Sequence, residues 1–238
     1  MNWGYDRNPF EIVVKRHHTA APFTLQANMI MIPFEALITF FIASVLLGLA
    51  PGPDNIFVLT QSALHGKGAG LLVTLGLCTG LVVHTLAVAL GVAVIFQVSA
   101  AAFTALKLVG AAYLVYLGWQ AFRAASAPIP MTGNASPNRF KLYRRGIIMN
   151  VTNPKVSIFF LAFLPQFADP ARGSVPLQVA MLGGVFILAT LLVFGAVALL
   201  SGALGSWLNR SERIQRTLNR VAGTVFFGLA LTLAMSRR

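Results

Sequence analysis

Six apolar stretches limit what this chain can fold into; they cover roughly residues 33–64, 69–96, 100–122, 145–166, 175–203 and 219–236. Each approaches the roughly 20 apolar residues that an α-helix needs to cross a bilayer. Because unpaired backbone polar groups are costly in hydrocarbon, such stretches cross membranes as helices. The sequence therefore predicts an all-α integral membrane protein with six transmembrane helices.

The composition and the distribution of charge agree with a membrane protein. Hydrophobic residues make up 57% of the chain and charged residues 10%, and the formal net charge is +12. Because the basic residues cluster between the apolar stretches, they indicate loops that contact anionic membrane lipids rather than a nucleic-acid surface. With one cysteine, Cys78, and no cluster of ligands around His17 and His18, we expect no metal and no cofactor.

The chain divides into four segments. Residues 1–30 contain no run long enough to span a membrane and are expected to be a poorly ordered extension. Residues 31–123 and 143–238 are predicted to be three-helix membrane repeats, joined by a connector at 124–142. Basic residues are more numerous on the connector's side, so the positive-inside rule predicts a cytoplasmic connector and both termini outside the cytoplasm.

The first and fourth apolar stretches are each broken by proline. A shift of 101 residues aligns "GLAPGPDNIFVL" (48–59) with "MNVTNPKVSIFF" (149–160) and places Pro53 on Pro154. Pro51, Pro53 and Pro154 each remove a backbone donor and interrupt a helix. Pro53 and Pro154 are therefore predicted to begin half-helices, with Gly52 and Asn153 as caps. Because three helices per repeat reverse the second copy, the pattern predicts two inverted repeats with broken first helices.

The same alignment places Asp54 on Lys155. At the start of a half-helix the dipole favours Asp54 and disfavours Lys155, by roughly 0.3–1 kcal/mol at exposed sites. Lys155 then needs an anion, which could be Asp54 or a bound carboxylate. Two alternatives stay open: Asp54 as a cap without a transport role, and Lys155 as a residue that snorkels to the membrane surface.

Polar residues near the breaks complete the candidate substrate site, which comprises Gly52, Asp54, Asn55, Asn150, Asn153 and Lys155. Asp54 and His84 are the candidates for proton coupling, because charged or titratable groups inside membranes often mark transport pathways. His84 could instead hydrogen-bond to a neighbouring helix.

Three segments resemble the LysE/RhtB superfamily of bacterial amino-acid exporters: "GLAPGPDNIFVLTQSALHGKGAG" (48–70), "KLVGAAYLVYLGWQAFR" (107–123) and "FKLYRRGIIMNVTNPKVSIFFLAFLPQF" (140–167). The resemblance covers roughly 31–236, and Ala50 replaces a glycine that is common there. It implies a multi-pass protein of the bacterial inner membrane that exports amino acids or small derivatives, driven by the proton motive force. The family's Pro-Gly-Pro region corresponds to 51–55 and its Asn-Pro-Lys motif to 153–155.

These observations favour a secondary exporter that works by alternating access over a membrane enzyme acting on lipid or head-group substrates. The sequence contains no Gly-x-Ser-x-Gly or His-Glu-x-x-His motif, and beyond Asp54 and His84 it offers no acid–base pair inside the membrane. The expected partners are a small amino acid, for which a neutral side chain is weakly favoured, protons and membrane lipids. Homo-oligomerisation is left open.

Overall fold

The computed structural model describes residues 31–98, 100–125 and 138–235, and all regular structure in these residues is helical. The extension predicted at 1–30 and most of the connector, 126–137, lie outside the described residues. The α-helices are α1 (Phe34–Leu49), α2 (Pro53–His65), α3 (Lys67–Val98), α4 (Ala100–Arg123), α5 (Arg139–Val151), α6 (Pro154–Ile158), α7 (Val175–Leu199), α8 (Ser201–Asn209) and α9 (Glu212–Met235). A π-helical turn (Phe159–Phe163) and 3₁₀ turns (Leu164–Phe167 and Pro170–Arg172) follow α6.

Within the described residues, four helices, α3, α4, α7 and α9, contain segments long and apolar enough to cross a membrane. The pair α1 and α2 is bent by 62°, and α5 is bent by 48° relative to the segment that begins at Pro154. Each bent pair, taken as one span, is also long and apolar enough to cross a membrane. The prediction of an all-helical membrane protein is confirmed, with four to six spans.

Both breaks fall where the proline chemistry predicts them. Helix α2 begins at Pro53 after Gly52, and α6 begins at Pro154 after Asn153. The side chain of Asn153 accepts a hydrogen bond from the backbone N–H of Lys155 at 3.0 Å, which satisfies one donor at the start of α6. The predicted starts of both half-helices are therefore confirmed.

Helix α3 packs against α5 and α7, α1 packs against α7, and α4 packs against α9. Two glycines allow α3 and α5 to approach at backbone distance. A Cβ atom at Gly76 would lie 2.2 Å from the carbonyl oxygen of Tyr143, and one at Gly146 would lie 2.5 Å from that of Val73. Small residues at such crossings are typical of helix contacts inside membranes. This crossing fixes the end of α5 beside α3.

Aromatic rings form the centre of the protein next to the second break. The π-helical turn after α6 places Phe159, Phe160 and Phe163 in the interior. Phe159 lies 5.9 Å from Phe40 of α1 and 5.3 Å from Phe186 of α7, measured between ring centroids. The turn that follows the second half-helix is therefore packed against both α1 and α7.

The exterior carries the large apolar side chains that a membrane-embedded protein presents to lipid, including Leu86, Leu90, Val109 and Leu231. Helix α9 begins at Glu212, before the apolar stretch expected from residue 219, so Arg213 and Arg216 belong to the same helix as the span. Helix α5 likewise begins at Arg139, ahead of residue 145, with Asn138 as its cap. Arg213, Arg216 and Arg220 lie three to four residues apart and are exposed, so they form a basic face on α9.

Candidate functional site

The two breaks lie against each other inside the protein. Asn153 donates a hydrogen bond from its Nδ2 to Oδ2 of Asp54 at 2.8 Å. Asp54 is 3% exposed and Asn153 6% exposed. The cap of one half-helix thus holds the carboxylate at the start of the other, and the structure brings together residues that are 99 positions apart in the sequence.

Lys155 reaches the end of α1. Its side chain is buried, and Nζ donates to the carbonyl oxygens of Leu47 at 3.3 Å and Ala50 at 3.2 Å. The last carbonyls of a helix lack intrahelical donors and form the negative end of its dipole, where a cation is favoured. Helix α1 therefore stabilises the ammonium group that the start of α6 disfavours, and this group does not snorkel to a membrane surface.

In the described part of the chain, no carboxylate oxygen of Asp54 lies within 4.0 Å of Nζ of Lys155, so the two side chains do not form a direct ion pair. Both side chains nevertheless line one cavity. The partner of Lys155 in this structure is a set of helix-end carbonyls, which the sequence pattern did not suggest. The ammonium group is thus held by neutral oxygens that a carboxylate can replace.

Asn55 and Gly52 support the same helix end. Asn55 donates from Nδ2 to the carbonyl oxygen of Gly48 at 2.6 Å, which satisfies a further free carbonyl of α1. A Cβ atom at Gly52 would lie 3.1 Å from Nζ of Lys155, so the absence of a side chain there gives the ammonium group its room. Neither Asn55 nor Gly52 lines the cavity.

His84 lies beside the second break. Its Nε2 is 3.1 Å from the carbonyl oxygen of Asn150, and its ring centroid is 5.6 Å from that of Phe160. His84 thus contacts the end of α5, in the way expected of a hydrogen bond to a neighbouring helix. It does not line the cavity that contains Asp54.

The cavity between the breaks has a volume of about 20 Å³, counted as space open to the centre of a water molecule. Its lining is Leu47, Gly48, Asp54, Leu77, Asn150, Lys155, Val156, Phe186, Thr190 and Phe194. Oδ1 of Asp54 and Oδ1 of Asn150 are buried without a hydrogen-bond partner. Such a volume holds about one water molecule and no amino acid. The cavity is therefore too small for a substrate, and acceptor groups at it lack hydrogen-bond partners.

Four lining residues lie outside the breaks, namely Leu77 of α3 and Phe186, Thr190 and Phe194 of α7. The spacing of apolar residues does not identify them as site residues, because α7 is apolar on all its faces. Thr190 could have been identified from the sequence, because it and Gln178 are the polar residues of α7.

Membrane-crossing helices, two proline breaks and buried groups of opposite charge define a polytopic membrane protein with a polar site in its interior. The sequence profile described as "LysE type translocator" matches residues 45–237. The chain belongs to the LysE-type translocator family, as the resemblance of its motifs indicated. It is a transmembrane transporter and not an enzyme, which sets aside the alternative of a membrane enzyme acting on lipids.

Several relatives match the chain over most of its length. The homoserine/homoserine lactone efflux protein of Salmonella typhimurium is 34% identical, over 86% of this chain and 98% of the relative. An uncharacterized membrane protein of Vibrio cholerae is 32% identical, over 84% and 97%. The leucine efflux protein of Salmonella choleraesuis is 27% identical, over 82% and 93%. No solved structure matches the chain.

Proposed function

We propose that this protein is a secondary active exporter of amino acids or small amino-acid derivatives in the bacterial inner membrane. The observation that carries the proposal is that Asp54 and Lys155, one from each break, line a single buried cavity. A zwitterionic amino acid presents an ammonium group and a carboxylate, which match these two charges. The efflux proteins named among the relatives support the same class of substrate.

Binding of such a substrate requires the site to change shape. The carboxylate of the substrate takes the place of the carbonyl oxygens of Leu47 and Ala50 on Nζ of Lys155, and its ammonium group meets the unpartnered Oδ1 of Asp54. Because the cavity holds about one water molecule, the half-helices must separate to admit an amino acid. Release of α1 from Lys155 links binding to movement, which is what alternating access requires.

The helix contacts support the inverted-repeat arrangement. Two inverted three-helix repeats make α3 equivalent to α7 and α4 equivalent to α9, and each equivalent pair is packed together. The two breaks are also equivalent and meet through Asn153 and Asp54. In inverted-repeat transporters the broken helices form the substrate site in this way. Protons are the proposed coupling ion, with Asp54 at the cavity and His84 at the end of α5 as the candidate carriers.

Transport is tested with the purified protein in proteoliposomes. Vesicles loaded with unlabelled homoserine or leucine are expected to take up the labelled form by exchange, because a carrier that alternates moves solute in both directions. An imposed proton gradient is expected to drive accumulation, and a protonophore to abolish it. If neither these solutes nor a mixture of the standard amino acids is exchanged, the proposed function is wrong.

The orientation is tested by labelling introduced cysteines in intact cells. In a Cys78→Ala background, Ser126→Cys in the connector is expected to resist a membrane-impermeant thiol reagent, because the positive-inside rule makes this loop cytoplasmic. Ser174→Cys, in the exposed turn before α7, is the matched control and should be labelled readily. Labelling of the connector with protection of the turn would reverse the topology.

A further inference from the structure

The cavity has a polar feature that the zwitterion contacts leave unused. Thr190 is 5% exposed and lines the cavity from α7. In the part of the chain that the structure describes, its hydroxyl forms no hydrogen bond. Thr74 and Thr85 are also buried, and their hydroxyls donate to carbonyls four residues earlier at 2.9 and 2.8 Å. Thr190 therefore keeps an unused hydroxyl at the cavity wall.

Asn150 supplies a second unused group from a different helix. It lies near the end of α5, is 3% exposed, and its Oδ1 has no partner. A Cβ atom at Gly80 of α3 would lie 2.7 Å from this oxygen, so α3 holds the amide closely in place. Two buried polar side chains from α5 and α7 thus line the same cavity, in addition to the two charged residues.

The rest of the wall limits the chemistry that fits between them. Leu77, Phe186 and Phe194 are apolar. A hydroxyl group on the substrate would donate to Oδ1 of Asn150 and exchange a hydrogen bond with Thr190. A purely apolar side chain would leave both groups unpaired, and a site built to bond a hydroxyl rejects the analogue that lacks it. A charged side chain would find no counter-charge beyond Asp54 and Lys155, which the zwitterion already occupies.

We infer that Thr190, together with Asn150, determines specificity by binding a hydroxyl group on the side chain of the transported amino acid. This inference rests on the proposed function, because it extends the same site. Homoserine is already the substrate named for one relative, so what the structure adds is the residue responsible. The inference assigns to Thr190 the discrimination against apolar side chains of the same size as a hydroxylated one.

The test compares exchange of homoserine with exchange of norvaline, which has a methyl group in place of the hydroxyl, in proteoliposomes. The unaltered protein is expected to prefer homoserine by about 10-fold, the value of one well-placed buried hydrogen bond. Thr190→Val, which keeps the shape, is expected to reduce this ratio to near one, and Thr190→Ser to retain most of it. Thr74→Val is the matched control, a buried threonine outside the cavity, and should leave the ratio unchanged.

Failure of this inference is distinguishable from failure of the proposed function. If both solutes are exchanged but the unaltered protein shows no preference, or Thr190→Val keeps the original ratio, the role of Thr190 is wrong and the exporter remains. If the unaltered protein exchanges no amino acid, the proposed function is wrong and the inference with it. If Thr190→Val does not reach the membrane, the ratio of homoserine to norvaline exchange is measured for Thr190→Ala instead, and the same outcomes support or contradict the role of Thr190.

Discussion

Replacement of Lys155 by methionine is expected to lower amino-acid export by about 100-fold or more, while the protein still inserts in the membrane. Methionine fills the volume of the lysine stem but cannot donate hydrogen bonds. The carbonyl oxygens of Leu47 and Ala50 then lose their donor, and the substrate carboxylate loses its partner. The initial rate of counterflow in proteoliposomes, at equal amounts of reconstituted protein, measures the effect.

Lys141→Met is the matched control for this prediction. Lys141 is exposed on α5 and lies away from the cavity, so its loss removes one positive charge without touching the site. We expect this variant to transport at close to the unaltered rate. Undiminished efflux by Lys155→Met in cells loaded with the solute would remove Lys155 from the substrate site.

The second large effect is expected at Asp54. Asp54→Asn keeps the size of the side chain, and its amide oxygen can still accept the hydrogen bond from Asn153. The negative charge that faces the cavity is lost, so the substrate ammonium group has no counter-charge in a desolvated site. We expect export to fall by about 100-fold or more, by the same reasoning as for a buried charge that loses its partner. Substrate-induced thermal stabilisation in detergent should disappear with it.

Asp169→Asn provides the comparison for Asp54. Asp169 is an exposed carboxylate in the turn before α7, paired with Arg172 at 3.3 Å. Exposed pairs of this kind contribute little, so export should be nearly unchanged. Stabilisation by substrate that persists in Asp54→Asn would show that Asp54 only braces the two half-helices, which is the capping alternative that the sequence left open.

Local chemistry explains which parts of the fold were predictable. Proline and glycine act on their own turn of the helix, so Pro53 and Pro154 marked the starts of α2 and α6 without knowledge of the rest of the protein. The spans followed from hydropathy for the same reason. The start of α9 was missed, because the polar residues from Glu212 form helix as readily as the apolar residues that follow them.

The candidate site was predictable only in part. Both charged residues were recognised, because an ionisable group within an apolar stretch is conspicuous. Their partners were not, since Lys155 bonds to a carbonyl of Leu47, 108 residues away. A backbone carbonyl has no signature in the sequence. Phe186 and Phe194 were missed because a largely apolar helix does not show which face turns inward. Thr190 was missed although it is one of the two polar residues of α7.

The sequence alone determined that this chain is a helical membrane protein, where its two spans break, and which charges lie at the breaks. These properties depend on hydropathy and on the backbone chemistry of a few neighbouring residues. Only the tertiary structure decided that the breaks meet, that Lys155 closes the end of α1, and that α7 completes the cavity with Thr190. Those features depend on how helices pack across the two halves, which no local pattern encodes.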